Sequence, residues 1–495
     1  MRTRPSPRSY LRERRAPAEL DATPRISIVP TLAVILVLTA CAPWLLNIRS
    51  PLVGVLTGCL VVQCAHGAAR AVVGGHHLMR AIFWTFNLCY LAVPAAYQVS
   101  TNQAAWGDEF IYSDATRLTE TLLVLNLAFA AFGLGGANRH RLRRRVSPTA
   151  GQRPPRGVAI PALYGTFALL LLPLVISRTG GITALVSSRS ERVQRLAAAG
   201  IGQGQSGGVA VALVTILPGA LALAATYLLL LLWRQRRRPA TFLLVGCGAL
   251  LILYTNPLAN TRYVSAVALV AVLLVVLQPR TTKALAVVVA ALIVGLLGIY
   301  PLANAFRSPE ARVESVSLAD NDFDGFQQVV NAHQYVEEQG HTLGVHVSSA
   351  ALFFLPRSIW EEKARPASIP VAANRGYDFT NLSLPLPGEL YLEFGVLVTG
   401  AVMFLWGRLW RRLDDEWADG TDTPWAALVP YLAIAQVGLL RGPLGSLMPV
   451  YATTLVLLFV AVRRPGRWWL AADGAVPSSR RGRDGSERRR RGSVT

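Results

Sequence analysis

The sequence predicts an all-α polytopic membrane protein of about twelve transmembrane helices, capped by one large extracytoplasmic loop. Three observations carry this expectation. Apolar runs of 17–25 residues recur from Ile26 to Val462, the composition is 52% hydrophobic, and the basic residues gather in alternate connections.

Each apolar run is long enough to cross about 30 Å of hydrocarbon at about 1.5 Å rise per residue. Backbone polar groups in lipid must be satisfied within the segment, so such runs are helices. The expected spans are 26–46, 51–69, 79–99, 117–136, 158–177, 208–233, 240–256, 262–278, 284–303, 385–406, 424–440 and 445–462. They divide the chain into a basic tail (1–25), a first bundle (26–303), the large loop (304–384), three closing spans (385–462) and a second basic tail (463–495). Both tails are rich in Arg, Pro, Ser and Gly and read as disordered. The first tail carries seven Arg and lacks a short apolar run ending in a small-residue cleavage site, so the first apolar segment reads as a retained helix.

A net charge of +21 suggests nucleic acid as a partner, but the distribution of the charge argues against it. With both termini cytoplasmic and twelve alternating spans, 35 of the 49 Lys and Arg fall on the inside. That is the positive-inside pattern of a plasma-membrane protein. The runs 141-RLRRR-145, 234-RQRRR-238 and 488-RRRR-491 then set topology and attract anionic membrane lipids. Cys41, Cys59, Cys64, Cys89 and Cys247 all lie in expected spans, without metal-ligand spacing, so no disulfide framework and no structural zinc are expected.

The large loop holds ten Asp and Glu against six Lys and Arg. Phe323, Phe326, Val330 and His333 recur at helical spacing, which predicts an amphipathic helix over 322–338 lying on the membrane or the bundle. The apolar stretch 347–355 is too short to span and reads as a re-entrant or interfacial segment ending at Pro356. The triplets in Asp320-Asn321-Asp322-Phe323-Asp324 read as negative charge at a helix N-terminus, where the dipole favours it.

Two sets of residues carry candidate chemistry. Arg262, Arg307, Arg357 and Arg441 all fall at the outer ends of expected helices or beside them, joined by Arg189 in the loop after the fifth span. Guanidinium groups bind phosphate oxygens bidentately, so a cluster at one depth would suit a lipid-linked pyrophosphate. Glu389 and Glu393 share one face at the start of the tenth span, and acids in such helices usually face a cavity or a partner. His341 and His346 are alternative proton acceptors, although His333, His341 and His346 match no metal-ligand signature.

The stretches 353-FFLPRSIWEEKARP-366 and 381-NLSLPLPGELYLEFGVLVTG-400 resemble the oligosaccharide repeat-unit (O-antigen, Wzy-type) polymerases of bacterial envelope synthesis. Pro356, Arg357, Ser358, Trp360 and Lys363 match the first family stretch. Asn381, Ser383, Gly388, Glu389, Tyr391, Phe394, Gly395 and Gly400 match the second. The chain departs from the pattern at Glu361-Glu362 and at Ala364-Arg365, which separates Lys363 from Pro366. The resemblance implies a glycosyltransferase that polymerises undecaprenyl-pyrophosphate-linked repeat units outside the plasma membrane, without a cofactor or metal. It implies polyprenyl-pyrophosphate-linked glycans as substrates, with a chain-length regulator and a flippase as partners. Under it, Arg189, Arg262, Arg307, Arg357 and Arg441 hold pyrophosphate, and Glu389 or His341 serves as base. Trp360, Lys363, Asn381 and Tyr391 position substrate. Three alternatives stay open: an O-antigen ligase-like transferase, a transferase using polyprenyl-phosphate sugars with Asp108-Glu109 in an early loop, and a glycolipid transporter or flippase.

Overall fold

The computed structural model describes residues 28–75, 77–107, 111–137, 157–199, 212–234, 241–299, 301, 317–380, 382–419 and 423–463. Every regular element among them is helical. Eight helices are long and apolar enough to cross a membrane: α2 (Pro51–Val73), α3 (Leu78–Thr101), α4 (Ala115–Ala137), α5 (Ala159–Thr179), α7 (Ala212–Arg234), α10 (Thr282–Ile299), α14 (Leu386–Ala418) and α16 (Leu444–Arg463). Three expected spans are shorter apolar helices, α1 (Val29–Leu45), α8 (Thr241–Tyr254) and α9 (Arg262–Leu277). The eleventh is α15 (Pro424–Arg441). The loops add α6 (Arg189–Ala198), α11 (Gly325–Gln339), α12 (Val345–Ala351) and α13 (Ser368–Asn374). The two tails read as disordered lie outside the described residues, apart from Arg463.

The ends of these helices follow local chemistry. Pro51 and Pro424 open α2 and α15, where a missing N–H costs nothing. Thr281 and Thr423 accept from the amides of Ala284 and Ala426 and close two helix starts. Inside α3, Leu88–Ala92 forms a π-turn just before Pro94, and this turn carries Tyr90.

α3 is the most enclosed span, with Phe83 stacked on Phe132 of α4 and edge-on to Trp84. α4 and α14 make the closest crossing. A Cβ on Gly135 would collide with the carbonyl oxygen of Phe404, and one on Gly407 with that of Phe132. Small residues let two backbones meet in this way, where lipid offers no hydrophobic drive for association. Away from the large loop, Asp414 is fully buried and ties α14 to α3. It accepts from the Met79 amide at 2.8 Å and from Arg80 Nε at 3.1 Å.

α14 differs from the expected 385–406. It runs to Ala418 but breaks at Gly395, whose φ of 76° and ψ of −177° are not helical. The charged stretch after Gly407 stays helical because its inner face, with Trp410, Leu413, Asp414 and Trp417, is buried, while Arg411–Asp415 and Arg412–Glu416 pair one turn apart on its outer face. The break has a partner in the loop. Thr342 and Leu343 donate their amides to the carbonyls of Leu392 and Glu393, which the kink exposes. Glycine is required at 395 twice over: for its positive φ, and because a Cβ would press on His341 Nε2 at 3.2 Å.

Candidate functional site

Near the start of the described part of the large loop, a turn points acids inward. Asn321–Phe323 form a single 3-10 turn, opened by Asp320, whose carboxylate accepts from the Asn321 amide at 2.7 Å. Asp320 caps that turn and Asp324 is the N-cap residue of α11, so both stand at helix starts as expected. Asp322 and Asp324 are in addition buried, which the helix-start reading did not foresee. The adjoining Phe323 and Phe326 drive the turn into the bundle, and the acids enter with them.

There they meet residues from distant parts of the chain. Arg262, the first residue of α9, places its two terminal nitrogens 2.9 and 3.4 Å from the Asp322 oxygens. Asp324 accepts from Tyr90 Oη at 3.1 Å, Trp106 Nε1 at 2.8 Å, the Ser383 amide at 3.3 Å and Ser383 Oγ. Arg441, ending α15, lies 5.8 Å from the ring centroids of both Tyr90 and Tyr263. Burial raises the pKa of both acids. Arg262 and then Arg441 oppose this at Asp322, and Arg441 leads the opposition at Asp324. Two guanidinium groups, two carboxylates and the Tyr90 hydroxyl thus share one polar cluster beneath the loop. Guanidinium forks hold phosphate oxygens, and a carboxylate with a raised pKa can take a proton.

Of the arginines singled out in the sequence, Arg262 and Arg441 come together here. Arg357 is bonded elsewhere: it donates to the carbonyls of Lys363 and Ala364 in its own loop. Lys363 is its counterpart, with Nζ donating to the carbonyls of Leu352, Phe353 and Leu355 at 3.2, 2.8 and 2.8 Å. Burial, and then the Arg357 guanidinium, lower the Lys363 pKa. The Pro-Arg-Ser…Lys stretch therefore staples a loop shut, with Trp360 half-buried on it. Arg307 and Asn381 lie outside the described residues, as does the side chain of Arg189.

Glu389 is fully buried in the first turn of α14 and accepts from the Leu444 amide at 2.8 Å, closing the start of α16. Its other oxygen has no hydrogen-bond partner among the described residues. Glu393, also buried, accepts from the His346 amide at 3.2 Å. His341 packs edge-on against Tyr391, and Tyr391 stacks on His333 at 5.0 Å. Glu120, His333 and Glu337 bring ligand-type atoms within 4.8 Å of one another. The two acids flank opposite nitrogens of the ring, at 3.4 and 3.5 Å, and Arg117 holds Glu337 at 2.8 Å. The ring forms ion pairs with these two acids only when it carries a second proton.

Sequence reasoning missed Asp322, Asp324, Tyr90, Trp106 and Ser383 as a group. The one available signal was the pair of acids flanking Phe323 and preceding Phe326, because apolar neighbours that bury themselves carry adjacent charges inward. It missed as well a cavity of about 250 Å³ at the same end of the bundle, between α7, α9 and α16, with Arg192, Asn260 and Tyr263 in its wall. No family model, curated protein or solved structure matches this chain.

Proposed function

We propose that the chain is a membrane glycosyltransferase that polymerises undecaprenyl-pyrophosphate-linked repeat units into a surface polysaccharide. The reaction takes place at the extracytoplasmic face of the bacterial plasma membrane. The observation that carries this reading is the convergence of Arg262 and Arg441 on Asp322 and Asp324, beneath the large loop. The family-like stretches within that loop and at its end support it.

In this reading an acceptor hydroxyl oxygen attacks the anomeric carbon of the growing glycan. The carbon–oxygen bond to the lipid pyrophosphate breaks, and the pyrophosphate leaves with the electron pair. The hydroxyl proton passes to a carboxylate. Arg441 and Arg262 face the departing diphosphate, where negative charge develops. Asp322 is the base nearest these cations, and its raised pKa suits the task. Glu389 and His341 are the alternative bases. Arg357 and Lys363 shape the loop that covers the site.

The test is polymer formation in vesicles supplied with a single lipid-linked repeat unit. Losing one well-placed donor costs about 2.7–4 kcal/mol, two to three decades in rate. Arg441→Ala is expected to leave single repeats at unchanged protein level, and Arg441→Lys to give short chains. Full-length chains from Arg441→Ala would overturn the reading.

A further inference from the structure

A second arginine site, separate from the acid cluster, sits in the wall of the cavity between α7, α9 and α16. Arg192, from the loop helix α6, is only 5% exposed. Its hydrogen bonds go to neutral acceptors, Asn260 Oδ1 at 2.7 Å and the Ala259 carbonyl at 3.4 Å. No carboxylate pairs with it among the described residues. A buried guanidinium without a counter-charge is costly, and burial lowers the Arg192 pKa accordingly. Buried charges are ordinarily paired, so the place opposite Arg192 is one where an anion is wanted.

The cavity beside Arg192 is the space such an anion could occupy. Tyr451 of α16 lines it, is 5% exposed, and has a hydroxyl without a hydrogen-bond partner among the described residues. That hydroxyl is lodged beside Gly438 of α15. The remaining wall is mostly apolar, with Leu196, Ile216, Leu223, Val264 and Val450. Arg192, Asn260 and Thr261 stand at the loop end. Thr454 lies ten residues into α16, so the hollow reaches about 15 Å into the bundle at helical rise. A cation at the mouth above an apolar shaft matches a charged head followed by a chain. At about 250 Å³ the hollow lies just under the usual range of roughly 300–1,000 Å³ for ligand pockets. It therefore takes a head and the first carbons of a chain, not a whole lipid.

We infer that this cavity binds the phosphate end of a lipid-like amphiphile, with the phosphoryl oxygens on Arg192 and the start of the chain among Leu196, Ile216, Leu223, Val264 and Val450. Tyr263 lines the cavity and is also approached by Arg441, so the seat adjoins the polar cluster without sharing its cations. The inference does not rest on the polymerase reading, because it concerns binding and requires no turnover.

The experiment measures equilibrium binding of radiolabelled polyprenyl monophosphate to the full chain purified in nanodiscs. Phosphatidylglycerol and inorganic phosphate serve as competitors. Saturable binding is expected, at least tenfold weaker in Arg192→Gln and partly restored in Arg192→Lys. Leu223→Trp, which fills the shaft without touching the cation, is expected to lose binding as well, and thermal melting identifies variants that fail to fold. Competition by phosphatidylglycerol equal to that of unlabelled polyprenyl phosphate would assign the seat to phospholipid as the amphiphile, supporting the inference. Displacement by millimolar inorganic phosphate as effective as by the amphiphile would overturn it, as would equal binding by wild type and both folded variants. Binding without polymer formation would sink the polymerase reading and leave this site standing; polymer formation without binding would do the reverse.

Discussion

Arg262 holds Asp322 in a 2.9 Å ion pair that fastens the first turn of α9 to the threshold of the large loop, sixty residues away in sequence. Both side chains are largely removed from water, so the pair is a balance between Coulomb attraction and lost hydration. Removing one partner strands the other. Arg262→Met alone, or Asp322→Leu alone, is expected to destabilise by about 3 kcal/mol, at the low end for a buried pair because Arg262 keeps some solvent contact. The double variant recovers most of that loss in thermal melting while making no polymer. Additive losses in the double variant would show that the two residues do not depend on each other.

The crossing of α4 and α14 rests on two glycines facing each other's partner backbones. Gly135→Val or Gly407→Val forces a side chain into a carbonyl that cannot move without separating the helices. Overpacking of this kind is expected to cost at least about 3 kcal/mol, read as a lower melting temperature in detergent. Gly133→Ala, two residues before Gly135 and so on the opposite side of the helix, with its nearest neighbour at 3.8 Å, is expected to be neutral and serves as the control.

Lys363 closes its loop through three carbonyls, so Lys363→Met removes three charge-assisted hydrogen bonds at a partly exposed site. New protease sensitivity within 352–366 is the expected result, with little change in global melting. An unchanged digestion pattern would mean that Arg357 and the turn itself suffice.

His333 gives a pH dependence whose sign is set by burial. Its ring is enclosed by α11, α4 and α14, and desolvation lowers its pKa although Glu337 and Glu120 favour the charged form and Arg117 opposes it. The folded pKa thus lies below the unfolded value of about 6.5. The unfolded chain then binds the proton first, and stability present above pH 6.5 is lost as pH falls toward the folded value. The melting temperature of the wild type is expected to drop between pH 7 and pH 5, with a shallower drop in His333→Gln. Identical slopes in the two proteins would remove His333 as the cause.

Much of the architecture was legible because apolar length is a one-dimensional quantity. The runs at 51–69, 117–136 and 158–177 became α2, α4 and α5 almost residue for residue, and the amphipathic spacing around Phe326 and Val330 became α11. Where local charge misled, as beyond Gly407, the buried Trp410, Leu413 and Trp417 carried the helix further than hydropathy suggested. The rough position of Arg262 and Arg441 was readable in the same way, since one opens a helix and the other closes one.

What no stretch of sequence contains is direction. Whether Asp322 faces a dipole or a guanidinium, whether Arg357 faces a ligand or its own loop, and whether Arg192 is solvated or enclosed all depend on which distant segments pack alongside. The sequence alone determined a bundle of apolar helices, many of them long enough to cross a membrane, because hydrophobic length and backbone satisfaction are local demands. Only the tertiary structure decided which charges share a buried space, because the cost of burying a charge depends on neighbours up to hundreds of residues away.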